Sequence, residues 1–414
     1  MRNLFLILIP VIIFSSCKKS DPKPVVSDPP SITSINPSSG GPETEVTISG
    51  SDFSANKSED NVTFNGIAAV VTSATSSSLK VKVPVGAGSG PITVTTPHGT
   101  ITSAAFTYIP DIFIGGTESN GSFYVGKYWK NGVAIPISDG TQNVFINSMV
   151  LSGSDVYLPG YESNSTGLSI AKYWKNGVAI SLSDGTHNAF STSMVVVGSD
   201  VYVAGYESNG VSTIAKYWKN GVATALTNGA TNAVTNSIAV VGSDVYVAGD
   251  EAEANGSTVA KYWKNGVVTT LTNLPNSLTS AVQIAVAGSD VHVVISEWES
   301  SGNTTNYKYW KNGVTTSITG ATQVDHMILV ATDVYMAGRQ SKIATYWKNG
   351  VATPLTDGSN SAFAHAITVY NNDVYVAGDE FNGTVMVGKY WKNGVATNIT
   401  NGSFSAAPWG IFVR

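Results

Sequence analysis

Six glutamates and one glutamine recur at a fixed offset in this chain. Seven residues after Asp111, Asp155, Asp200, Asp244, Asp290, Asp333 and Asp373 stand Glu118, Glu162, Glu207, Glu251, Glu297, Gln340 and Glu380. Such carboxylates could hold a metal, bind a polar ligand or cleave a glycosidic bond. Calcium needs oxygens at about 2.3 to 2.6 Å, whereas packed sheets lie about 10 Å apart, so carboxylates on neighbouring sheets cannot share one ion. Glycoside hydrolysis needs two carboxyl groups about 5 to 10 Å apart, and Glu297 with Glu299 and Glu251 with Glu253 are the pairs close enough in sequence. The plainer role for each Glu is a local pair with a Lys or backbone donor of its own repeat. The Asp series, which follows Gly-Ser in four copies, reads as turn caps.

Departures from the repeat mark where an asymmetric ligand would be read. Trp298 and Glu299 lie in a lengthened loop, and His292 stands where other copies carry Tyr or Phe. Arg339 and Gln340 replace the usual pair, and Thr345 replaces a Lys. An aromatic such as Trp298 on a polar loop suits a sugar ring, or covers a seam between repeats. Tyr161, Tyr206 and Phe381 add aromatic character to the same rim. Asp325, His326 and His365 fall at adjacent phases and could ligate a metal, or stand as solvated strand-start residues. There is no HExxH, no GxSxG, no phosphate-cradling Gly loop and no Cys nucleophile. No metal site or cofactor is therefore assigned.

What positions these residues is a repeat. YWKNG occurs seven times, with Trp at 129, 174, 218, 263, 310, 347 and 391, spaced by 45, 44, 45, 47, 37 and 44. A period of 40 to 50 residues holding four short strands signals a β-propeller. In one unit the pattern predicts strand a at 193–197, b at 201–207, c at 213–219 and d at 222–227, with Asn220-Gly221 as the hairpin turn between c and d. Copy one begins at Asp111 with a strand b, and the chain ends at 407–414 with a strand a that has no b after it. The last strand should therefore complete the first blade, closing seven blades over residues 111–414 and removing free edges. The repeated Trp reads as packing between blades. The Lys before each Tyr and after each Trp should lay their stems along aromatic faces with the ammonium in water. By resemblance to known propellers, the b-to-c and d-to-a loops share the binding face. Glu118, Glu162, Glu207, Glu251, Glu297, Trp298, Arg339, Gln340 and Glu380 would then rim it.

Residues 31–109 show short alternating runs bounded by Gly, Pro, Asn or Ser, the mark of a small β-sandwich. Pro30, Ile32, Ile35, Pro37 and Gly40, then VTISG at 46–50 with Phe53, Val62, Phe64 and Gly66, resemble IPT/TIG immunoglobulin-like domains. That resemblance implies a spacer or adhesion module. At the N-terminus, Arg2, an apolar run from Leu4 to Phe14 and then Ser15-Ser16-Cys17 read as an export signal too short to span a bilayer. Small residues before Cys17 resemble the lipobox of bacterial lipoproteins, with Phe14 where the family usually has Leu. Residues 1–17 would then be the signal peptide with Cys17 lipidated, and 18–30, rich in Lys, Ser, Asp and Pro, a tether.

Charged residues are 12% and the net charge is −5, with no basic block, so nucleic acid is excluded as a partner. The expected protein is all-β, a small Ig-like β-sandwich followed by a seven-bladed β-propeller closed by the C-terminal strand. Its layout is similar to that of Bacteroidetes-type surface lipoproteins. The expected role is binding a glycan or protein at the cell surface, with the membrane reached through a lipid anchor at the outer membrane. A glycan lyase or hydrolase using rim carboxylates, and a purely structural or adhesion protein, are the alternatives.

Overall fold

The computed structural model describes residues 28–272, 274, 277–299 and 304–414. Cys17 and most of the tether lie outside the described residues, as does the Glu299 side chain. The chain divides into two compact units that part between Ile109 and Pro110, and no helix occurs among the described residues.

In the first unit, strands Ser31–Asn36, Glu45–Ser51 and Ser78–Lys82 form one layer. Asn61–Phe64, Gly90–Thr96 and Gly99–Tyr108 form the other. The long strand Ile67–Thr75 serves both. Its first residues pair with Val62–Phe64, and after Val70 it pairs with Ser78–Lys82 across a bulge. Alternation buries Val46, Ile48, Val62, Phe64, Leu79, Val81, Ile92, Val94 and Phe106 between the layers, with Phe64 and Phe106 edge to face at 5.0 Å.

The second unit is a ring of seven four-stranded blades. Blade three is typical: a is Ala189–Val197, b Asp200–Ser208, c Thr213–Lys219 and d Val222–Ala225, each antiparallel to the next. Blade one takes strand a from the chain end, Ala406–Val413 pairing with Ile112–Ser119 as the open count predicts. Asp111 and Arg414 exchange backbone hydrogen bonds at 2.8 and 3.1 Å to finish that seam.

Each c-to-d turn has both central residues at positive φ, Asn at 46–52° and Gly at 81–94°, the type I′ geometry that matches strand twist. The Asp series does more than cap a turn. In every blade the turn Asn donates from Nδ2 to the Asp Oδ1 at 2.7–2.8 Å. Its own Oδ1 accepts the N–H of the residue after that Asp. The Lys after each Trp pairs with the second Asp oxygen at 2.7–3.0 Å. These clamps tie the a-to-b turn to the c-to-d turn, and the ammonium expected in water is in an ion pair.

Blades are joined through the repeated Trp. Trp218 of blade three packs on Tyr157, Ala171 and Leu182 of blade two, and Trp391 of blade seven on Tyr335, Ala344 and Leu355 of blade six. Trp310 is 9% exposed and the other six 2% or less. Burying about 150 to 250 Å² of each at about 25 cal/mol per Å² stabilises a blade contact by about 4 to 6 kcal/mol gross, an upper bound.

Candidate functional site

Six of the seven rim positions are ion pairs within their own blade. Lys127, Lys216, Lys261, Lys308 and Lys389 meet Glu118, Glu207, Glu251, Glu297 and Glu380 at 2.5–2.7 Å, and Lys172 meets Glu162. The register explains this, because the Lys stands on strand c across from the residue two before the Glu on strand b. Glu251 therefore carries a Lys partner, and Glu253 lies in the exposed b-to-c turn that follows it. In blade six both members of the pair are replaced together, by Gln340 and Thr345, and Gln340 Nε2 donates to the Thr319 carbonyl at 3.2 Å. Trp298 is half-buried near the end of strand b in blade five, paired in register with Leu278 and Thr305. His292 is buried in the same strand and hydrogen-bonds Tyr309.

The structure also reveals a ring that sequence alternation hides. Strand a is longer than the pattern predicts, because a β-bulge interrupts it. In blades three to seven and in blade one the register slips at Thr192, Asn236, Val282, Asp325, His365 and Trp409. In blade two the strand splits into Val144–Ile146 and Val150–Ser152, opposite Pro159, which has no N–H for the ladder. A bulge re-aims a side chain and breaks the period of two, so the reading that began strand a at 193 stopped one residue short of the bulge. Strand a is innermost in each blade. Residues at or beside the bulges, Asn147, Thr192, Ser237, Gln283, Asp325, His326, His365 and Trp409 among them, line a cavity of about 230 Å³ in the central channel.

A polar chain runs round this cavity. Asn236 Nδ2 donates to Ser280 Oγ at 2.9 Å, Ser237 Oγ to Gln283 Oε1 at 3.2 Å, and Gln283 Nε2 to the Asp325 carbonyl at 2.9 Å. Gln323 Nε2 donates to both Asp325 carboxylate oxygens at 2.7 and 2.8 Å. His365 is 5% exposed and sits between two carboxylates, Nδ1 2.8 Å from Asp325 and Nε2 3.0 Å from Asp379. Burial by itself would push the imidazole down, but the hydrogen bonds and charges of the two Asp outweigh it and raise it to about 9. The ring also lies against Trp409 on the closing strand, centroids 4.0 Å apart and tilted by 33°. His326 is opposite in character. Desolvation lowers it to about 4, and its Nδ1 accepts the Ile367 N–H at 3.2 Å. Asp325, His326 and His365 are thus brought together, His365 buried and the other two half-buried against the cavity, and among the described residues no group of three or more His, Cys, Asp or Glu is placed to hold a metal ion.

One layer towards the start of strand a, the blades differ again. Tyr124, Phe145, Tyr161, Phe190 and Tyr206 form a run of rings 4.8–5.1 Å apart across blades one to three. Asp250 takes the matching strand-b position in blade four, where burial raises it to about 6 against hydrogen bonds from Ser280 and Asn236. Arg339 takes it in blade six, with Cζ 4.1 Å from the Phe363 ring centroid. One wall is aromatic and phenolic, the other charged.

Comparison with known families agrees with the first unit. Residues 30–109 match the sequence model of the IPT/TIG domain. The strands of this IPT/TIG domain are those described above, and Val46, Ile48 and Phe64, three of the residues that carried the resemblance, lie in its core. No curated protein matches the chain. Among solved structures it is similar to a protein of unknown function from Bacteroides thetaiotaomicron, at 12% identity over 93% of this chain and 98% of that one, TM-score 0.47. A second, an auxiliary nutrient binding protein from the same organism, shares 13% identity over 80% of this chain and 86% of that one, TM-score 0.34. An acylaminoacyl peptidase from Pyrococcus horikoshii shares 10% identity over 91% of this chain and 64% of that one, TM-score 0.40.

Proposed function

We propose that this is a cell-envelope binding protein that recognises a glycan at the channel mouth of its propeller, with a protein ligand as the other outcome. One observation carries the reading. The blades repeat the same Trp, Lys, Asp and NG turn, yet where their innermost strands converge the cavity is lined by Asn147, Thr192, Ser237, Gln283, Asp325, His365 and Trp409. Packing needs are alike in every blade, so divergence that gathers along the shared axis and at the rim of blades five and six fits recognition of an asymmetric ligand. Aromatic faces beside fixed amides and carboxylates suit sugar rings and their hydroxyls. Paired glutamates then hold the rim in shape, and Trp298, Arg339 and Gln340 are the rim positions open to ligand. The same proposal has the chain exported, lipidated on Cys17, anchored to the outer membrane and exposed at the surface, with the IPT/TIG domain as spacer. The support is the apolar run ending in Ser15-Ser16-Cys17 and the polar tether after it.

The test is a glycan array on the full-length protein beside Ser148→Trp, which places an indole in the cavity at a residue outside the strand ladder. Saccharide binding lost in the variant at unchanged melting temperature supports the channel. Binding unaffected by the indole overturns it, and an array without hits moves the reading to a protein ligand.

A further inference from the structure

Resting on that glycan reading, we propose that the corner of blade six is a carboxylate subsite, so that the ligand is an acidic, uronate-bearing glycan. Cations elsewhere in the propeller are already used. Of the fourteen lysines in Pro110–Arg414, thirteen are in ion pairs, and the exception among them is Lys342. Arg414 donates to the Gly153 carbonyl at the closing seam. Arg339 makes no ion pair among the described residues, and its Nε is buried without a hydrogen-bond partner. Arg414 also lacks an ion pair and buries an unpartnered Nε, but it lies over Phe113 at the closing seam; the two cations that remain, Arg339 and Lys342, are three residues apart, on one hairpin of one blade.

The surroundings keep Arg339 available. Its guanidinium lies against Phe363, which fixes the plane and leaves in-plane donors for a partner. Asp325, a carboxylate of the same blade, is committed to Gln323 and His365, and Asp379 to His365. The Glu and Lys that close this position in other blades are absent together, as Gln340 and Thr345. The b-to-c connection is cut to Ser341–Lys342, between Asp333–Gln340 and Ile343–Lys348, against four or five residues in the other blades. A planar donor on an aromatic face, beside an exposed Lys on the shortest b-to-c connection, matches a carboxylate in bidentate contact.

Titration calorimetry of the full-length protein with oligogalacturonate, alginate oligomers and their carboxyl-reduced counterparts tests this. The expected result is binding of at least one acidic oligomer, weakened about 10- to 100-fold by carboxyl reduction. Arg339→Gln should cause a similar loss, and Lys342→Ala, an exposed change, a smaller one together with a shallower salt dependence. Equal affinity for reduced and acidic oligomers, or an unchanged affinity in Arg339→Gln of normal melting temperature, overturns the carboxylate subsite and leaves glycan binding standing. If neutral sugars alone bind on the array, the subsite also falls. If no saccharide binds, the glycan reading fails with it.

Discussion

Removing the imidazolium between Asp325 and Asp379 tests the electrostatics of the channel directly. His365 is raised from its ordinary 6.5 to about 9 and is almost wholly buried, so the shift is a stability term little reduced by solvent screening. At about 1.4 kcal/mol per pH unit it amounts to about 3 kcal/mol. The folded state holds the proton more tightly than the unfolded one. This contribution is therefore complete below pH 6.5, declines as pH rises towards 9 and is gone above it. His326 at about 4 and Asp250 at about 6 titrate below that window, and burial also lowers His292. All nine tryptophans lie in the propeller, so indole fluorescence reports its unfolding without signal from the IPT/TIG domain. Urea denaturation at half-unit steps from pH 6 to 10 should show the wild type losing about 3 kcal/mol more than His365→Gln, while the tyrosines that burial raises, Tyr161 and Tyr206 among them, lower both proteins alike near pH 10. Parallel profiles for the two proteins would refute the assignment of a charged His365.

Other outcomes follow from the packing. Trp218→Ala should cost about 3 to 5 kcal/mol, read as a lower melting temperature, whereas Trp298→Ala, half-buried at a strand end, should melt nearer the wild type and reduce ligand binding. Deleting residues 405–414 removes strand a of blade one and the partner of Ile112–Ser119, and should abolish the cooperative fluorescence transition. Asn220→Ala loses the side chain that links Asp200 to the Val201 N–H and leaves a non-Gly residue at φ 50°, which should cost about 1 to 3 kcal/mol by thermal melting. Cys17→Ala should move the protein from the membrane fraction to the soluble fraction of cells.

The repeat was legible because packing writes the same residues into each blade. The Trp of YWKNG, the NG turn and the unpaired terminal strand are local signals of period, turn type and edge closure, and each fixes one step of a seven-fold ring. The IPT/TIG core was legible for the same reason, since period-two alternation places Val46 and Ile48 on one face. Less legible was strand a before residue 193, where the bulge at Thr192 breaks that alternation and makes Ala189–Ser191 read as loop.

Repeat spacing and turn chemistry alone thus determine the all-β class, the seven blades and the closing strand, because those depend on neighbours within one unit. Which charges meet depends on register across strands and on the convergence of seven innermost strands. Tertiary structure therefore decided that the rim glutamates are lysine partners, that the turn aspartates clamp a second hairpin, and that His365, forty residues from Asp325, lies against it and Trp409 in the channel.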